Sequence, residues 1–119
     1  MADTEKLIKN YVPMSEPGFL VLSSLLDARH GYGIMQHVQE ATRGRVNLSA
    51  STVYTILYKM ENDDLIRVVR EVDRRKVYCI TSTGRAVLKA ELQRIASLGL
   101  LAKSVLARAE EPGYAAATK

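Results

Sequence analysis

Apolar positions in this chain follow a helical period, switch once to a strand period, and return to a helical period for a long last run. In the first dozen residues Leu7, Ile8, Tyr11 and Val12 share one helical face, Thr4 stands where a cap would, and Pro13 stops the run. This predicts a short N-terminal arm helix. Ser15-Glu16-Pro17 is a helix start, since proline is tolerated in the first turn. Leu20 to Leu26 gives the helix that follows an almost all-round apolar surface, which belongs at the centre of a core, and the pattern ends near Ala28. His30-Gly31-Tyr32-Gly33 turns the chain into a third helix, with Ile34, Met35, Val38 and Ala41 inward and Gly44 as its C-cap.

Arg45 to Leu48 reads as a short extended link. Ser49 and Ser51 offer capping oxygens to a helix from about Ser51 to Asp63, whose Val53, Ile56, Leu57 and Met60 repeat on one buried face. Two β-rich runs follow, Leu65, Val68, Val69 and Val72, then Val77, Cys79 and Ile80, separated by Asp73-Arg74-Arg75 as a tight hairpin. Thr81 caps a last helix from about Ser82 to Glu110, roughly 40 Å long at 1.5 Å per residue. Leu88, Leu92, Ile95, Gly99, Ala102 and Leu106 alternate steps of four and three along it, and Val87, Leu98, Leu101 and Val105 widen the stripe. A helix longer than its own small domain, with a heptad-like seam, calls for a second copy to cover it.

The exposed face of the Ser51–Asp63 helix changes this from a fold into a function. It carries Ser51, Thr52, Tyr54, Thr55, Tyr58 and Lys59, with no acid before Glu61. Short hydroxyls, phenols and a cation allow close approach and donate to phosphates and base edges. Arg74, Arg75 and Lys76 sit at or beside the hairpin tip, where a wing would touch DNA. The fold class expected is α+β, mostly α: a winged helix-turn-helix with a short N-terminal arm helix and a long C-terminal dimerisation helix. Tyr54 has two readings, a phosphate contact or a core aromatic with its hydroxyl outward.

Composition adds bounds. At 119 residues the chain is one domain, or one domain with an attached arm, and 47% hydrophobic and 25% charged content is ordinary for a soluble globular protein. The net charge of +4 is a weak pointer to a polyanion; its concentration in Arg67, Arg70, Arg74, Arg75 and Lys76, against Glu71 and Asp73, is a stronger one. The single Cys79 excludes an intramolecular disulfide, and as an alternate strand residue it reads as a small buried hydrophobe rather than a redox thiolate. No signal-peptide pattern opens the chain and Phe19–Leu26 is too short to span a bilayer, so a cytoplasmic location and no membrane partner are expected. His30 and His37 have no ligands at metal spacing, and no catalytic set or phosphate-cradling loop stands out, so no metal, cofactor or enzymatic activity is expected.

Three stretches in order are similar to one family. His30-Gly31-Tyr32-Gly33-Ile34 looks like the HGYGI signature of PadR-type transcriptional regulators. Ser51-Thr52-Val53-Tyr54-Thr55-Ile56-Leu57, through Met60-Glu61 to Leu65-Ile66, resembles the family's small-Thr-aliphatic-Tyr pattern with its later Leu, Glu and Leu-Ile. Arg75-Lys76-Val77-Tyr78-Cys79-Ile80-Thr81-Ser82-Thr83-Gly84 looks like its R-K-x-Y-x-[IL]-T-x-x-G. The resemblance covers about residues 13–95 and points to the short subfamily with a single C-terminal dimerisation helix. It implies a dimeric winged-helix repressor of double-stranded DNA, often controlling an adjacent detoxification or efflux gene, with a small effector, frequently aromatic or cationic amphiphilic, that releases the DNA. A homodimer with twofold symmetry would meet an inverted repeat, and a small hydrophobic or aromatic effector is the expectation here. Some relatives stack ligands on an aromatic of the last helix; here there is no tryptophan, and Ile95 falls about there.

The expected organisation is a winged-helix domain with its arm over 1–83, a dimerisation helix over 84–111 and a flexible tail over 112–119. Leu92, Ile95, Ala96, Leu98, Gly99 and Ala102 are the candidate effector-lining residues at the dimer interface, with Met14 nearby. The alternative reading is a dimeric ligand-binding or protein-adaptor winged-helix module without DNA binding.

Overall fold

The computed structural model describes residues 3–112; the expected flexible tail lies outside them but for Pro112. Five helices and three strands follow in the order α1 (Thr4–Tyr11), α2 (Glu16–Ser24), β1 (Arg29–His30), α3 (Gly31–Ala41), α4 (Ala50–Asn62), β2 (Ile66–Val72), β3 (Arg75–Ile80) and α5 (Ser82–Ala109). The helices begin where side chains satisfy free N–H groups. Asp3, Ser15, His30, Ser49 and Thr81 each accept a hydrogen bond from the backbone N–H three residues on, at 3.0–3.3 Å. The cap of α1 is therefore Asp3 and not Thr4. At His30 it is Nδ1 that accepts, so the histidine of the HGYG stretch has a structural role.

Val21, Leu22 and Leu25 of the α2 region, Ile34 and Val38 of α3, Val53, Leu57 and Met60 of α4, Leu65 and Ile66 before the wing, and Val87 and Leu88 of α5 form one core. Helix α4 needs that core. Its β-branched Thr52, Val53, Thr55 and Ile56 each disfavour a helix by a few tenths of a kcal/mol, up to ~0.7. Burial of Val53, Leu57 and Met60 returns roughly 1.5–3 kcal/mol apiece, so packing decides. Helix α2 stops at Ser24, short of Ala28, and Leu26 is 44% exposed. Ala41, expected inward, is exposed, because the inward face of α3 is already filled by Ile34 and Val38.

The sheet has the order β1-β3-β2, all antiparallel. The two-residue β1 had no sequence signal: Arg29 and His30 join through backbone pairing with Tyr78 and Val77. The hairpin turn is Asp73-Arg74, one residue shorter than read, with both residues at positive φ (51° and 66°) as a two-residue turn requires. Two glycines allow close approach. A side chain at Gly31 would run into the Tyr54 hydroxyl, so α3 can lie against α4 there. One at Gly84 would meet the Leu65 carbonyl and Ile80, which closes the start of α5 onto the sheet.

Candidate nucleic-acid interface

Helix α4 lies with Val53, Leu57 and Met60 in the core and the opposite face in solvent. Ser51, Thr52, Tyr54, Thr55, Tyr58 and Lys59 are all on that exposed side, Tyr54 at 52% and Tyr58 at 72% exposure. Tyr54 is not the core aromatic with an outward hydroxyl: half its surface is open, and its hydroxyl end lies against Gly31 of α3. The Ser49 hydroxyl donates to Thr52 Oγ1 at 3.0 Å while accepting from the Thr52 N–H. Thr52 is thereby oriented. Lys59 differs from its neighbours. Its Nζ lies 3.2 Å from Asp63 Oδ2 and 5.0 Å from the centre of the Tyr11 ring, so its charge is engaged within the chain.

The wing is set by one irregularity. Ile66 and Val68 pair with Ile80 and Tyr78 on the core face, and a register shift between Val68 and Arg70 then leaves Val69 extra. Beyond it Arg70 faces Val77 and Val72 faces Arg75. Directly paired residues share a face, so Arg67, Arg70 and Arg75 line the face away from the core. Glu71 pairs with Lys76 on the other. Arg74 sits in the turn, and residues 69–76 are all exposed. Among the described residues, none of the wing's five cations is in an ion pair. Arg67 and Arg70 were legible only as local charge; the bulge that aligns them with Arg75 has no mark in the sequence.

Tyr78, in the core beneath the wing, has its phenol pushed above the ordinary value by burial, with smaller pushes from Glu61 and Tyr54. Cys79 is half-buried rather than buried. Among the described residues no group of histidines, cysteines and carboxylates is placed to hold a metal ion, and no helix is long and apolar enough to cross a membrane.

Helix α5 divides in two. Gly84, Val87, Leu88 and Glu91 are buried in the head, and from Leu92 onward the helix is almost wholly exposed. Leu92, Ile95, Ala96, Leu98, Gly99 and Ala102 all lie on this free part, with nothing within 4 Å of a side chain built at Gly99. Among the described residues, a groove of about 300 Å³, lined by Arg94, Ser97, Leu98 and Leu101, shares only Leu98 with them. Leu100, Leu101, Val105 and Leu106 are 55–72% exposed.

The family model described as the transcriptional regulator PadR-like family matches residues 21–90. A PadR family transcription regulator from Clostridium difficile superposes with a TM-score of 0.65 at 24% identity, over 77% of this chain and 99% of that one. Bacillus subtilis PadR, solved in complex with operator DNA, superposes with a TM-score of 0.57 at 24% identity, over 67% of this chain and 48% of that one. An uncharacterised 37.1 kDa protein in transposon TN4556 of Streptomyces fradiae is 32% identical over 80 residues; the matched part is 66% of this chain and 23% of that relative's length.

Proposed function

The chain belongs to the transcriptional regulator PadR-like family, and from that membership we propose a repressor that binds an inverted-repeat operator as a homodimer in the cytoplasm. The family is one of regulators rather than enzymes, and the wing and α4 form a surface suited to DNA. The observation that carries the reading is the pairing of an acid-free, hydroxyl-rich helix face with a wing of five cations that form no ion pair among the described residues. Ser51, Thr52 and Thr55 are the base readers. Tyr54, Tyr58, Arg74, Arg75 and Lys76 hold phosphates, and Lys59 joins them by exchanging Asp63 for phosphate. An adaptor would need apolar or acidic groups on the exposed face of α4.

The two sides of residue 83 have different roles. Residues 1–83 read DNA and 84–111 join two copies, although the first turns of α5 complete the core of the head. Two facing copies of the free part would bring Leu92, Ile95 and Leu98 around the small Ala96, Gly99 and Ala102. That is room for a small apolar or aromatic effector. Two recognition helices on a twofold axis meet successive major grooves roughly 34 Å apart, or a multiple of that.

The test is selection from random duplexes by the full chain, followed by titration against the selected and a scrambled duplex. Thr55→Ala should lower affinity for the selected site and narrow its margin over scrambled DNA by about tenfold, the cost of a lost base contact. Arg75→Ala should weaken both duplexes alike, with the log–log salt slope falling by about 0.9. Equal effects of both variants on both duplexes would remove the assignment of readers.

A further inference from the structure

The arm is tied at two points, three residues apart, to the two elements that matter most. At one, the Tyr11 hydroxyl donates to Asp63 Oδ2 at 2.6 Å, at the C-cap of α4, where Lys59 also binds the same oxygen. At the other, the Met14 N–H donates to Glu91 Oε1 of α5 at 3.2 Å. Glu91 is 1% exposed and is held by two contacts from Arg94, at 2.9 and 2.7 Å. These ties add to a partly packed arm, whose Leu7, Ile8, Tyr11, Val12 and Met14 rest half-buried against the core. No residue of α1 is buried, and a hollow of about 260 Å³ lies beside the arm, bordered by Met14, Gly18, Ile56 and Met60 among others. The polar ties therefore fix, at defined atoms, an arm whose apolar packing is only partial.

A buried carboxylate is also a poor choice for stability. Exchanging a buried ion pair for a well-packed apolar residue is often neutral or stabilising. What leucine at this position cannot do is accept the Met14 N–H. We propose that residues 11–14 form a strut between α4 and the start of the free part of α5, and that Tyr11, Asp63 and Glu91 are positioning residues that set the operator half-site spacing. The direction in which α5 leaves the head fixes where the second head sits. The direction of α4 fixes how each head meets its groove. The strut holds one direction against the other through side chains that touch no DNA.

This inference rests on the proposed dimeric operator binding, and the experiment separates the two. The full-length wild type, Tyr11→Phe, Glu91→Leu and Glu91→Gln are titrated against the selected inverted repeat and versions with the half-site spacing changed by one base pair either way. Sedimentation and thermal midpoints are measured on the same samples. Tyr11→Phe and Glu91→Leu should remain dimers and bind a single half-site within about threefold of wild type. Their preference for the native spacing should fall by about tenfold. Glu91→Gln keeps the acceptor and should recover most of it. Tyr11→Phe removes one oxygen and keeps the ring, so it serves if Glu91→Leu does not fold. A wild-type spacing preference in folded Tyr11→Phe, or equal losses on every spacing, would overturn the strut. A wild type that is monomeric, or selects no inverted repeat, would overturn the operator reading, and the strut with it.

Discussion

Arg74 occupies a left-handed backbone conformation, φ 66°, that costs a residue with a Cβ about 1–2 kcal/mol. Glycine would sit there freely. An arginine in that position is explained by its charge, carried at the far end of the hairpin. Arg74→Gly should therefore raise the thermal midpoint by a few degrees and weaken binding to every duplex, with a shallower salt dependence. Calorimetry and fluorescence titration on one sample would check both directions, and an unchanged affinity would take Arg74 out of the contact set. His30 and Gly31 are explained differently. The imidazole caps α3 and the missing side chain admits the Tyr54 hydroxyl, so two residues of the HGYG stretch serve the junction of α3 and α4.

At the scale of elements, α5 has the sharpest consequence. Its free part exposes Leu98, Leu100, Leu101, Val105 and Leu106 without a cover among the described residues. Leu101→Glu should give monomers or aggregates in sedimentation while leaving the head folded, since its core ends at Glu91. A stable dimer of that variant would place the interface elsewhere. Four of the helices were readable from a periodic face and α2 from an all-round apolar run, and α5 ends within one residue of expectation, although the cap of α1 was read one residue late. The winged-helix candidate face was readable for the same reason. What was hidden depends on contacts distant in sequence. The strand β1 exists only through β3, 47 or more residues away. Buried Glu91 is bound by an amide 77 residues before it as well as by Arg94, and a glutamate between Ala90 and Leu92 looks like any solvated helix position. The bulge at Val69 is fixed by its partner strand and by the shorter turn.

For the molecule as a whole, two carboxylates tie the arm to the rest, and both titrate low. Arg94 holds the Glu91 carboxyl below its ordinary value of 4.5, with the Met14 N–H assisting against burial. The Tyr11 hydroxyl and then Lys59 hold Asp63 below 3.8. A depressed folded value contributes stability that is complete above the unfolded value and lost as pH falls through the folded one. Urea midpoints should therefore be level from pH 7 to about 5 and fall below about 4.5. Glu91→Leu should flatten part of that acid limb, and an identical limb would clear Glu91 of any share in it. The longest dimension is 64 Å and the radius of gyration 18.0 Å, against about 13.5 Å for a compact chain of this length. The excess is the free part of α5, and it has a meaning for gene dosage. If only paired chains grip the operator, then below the dimer dissociation constant the active species grows with the square of chain concentration. Halving synthesis would then quarter the concentration able to repress. A protruding helix would thus act as a threshold device, making the regulated gene respond more steeply to the amount of regulator than one site on one chain ever could.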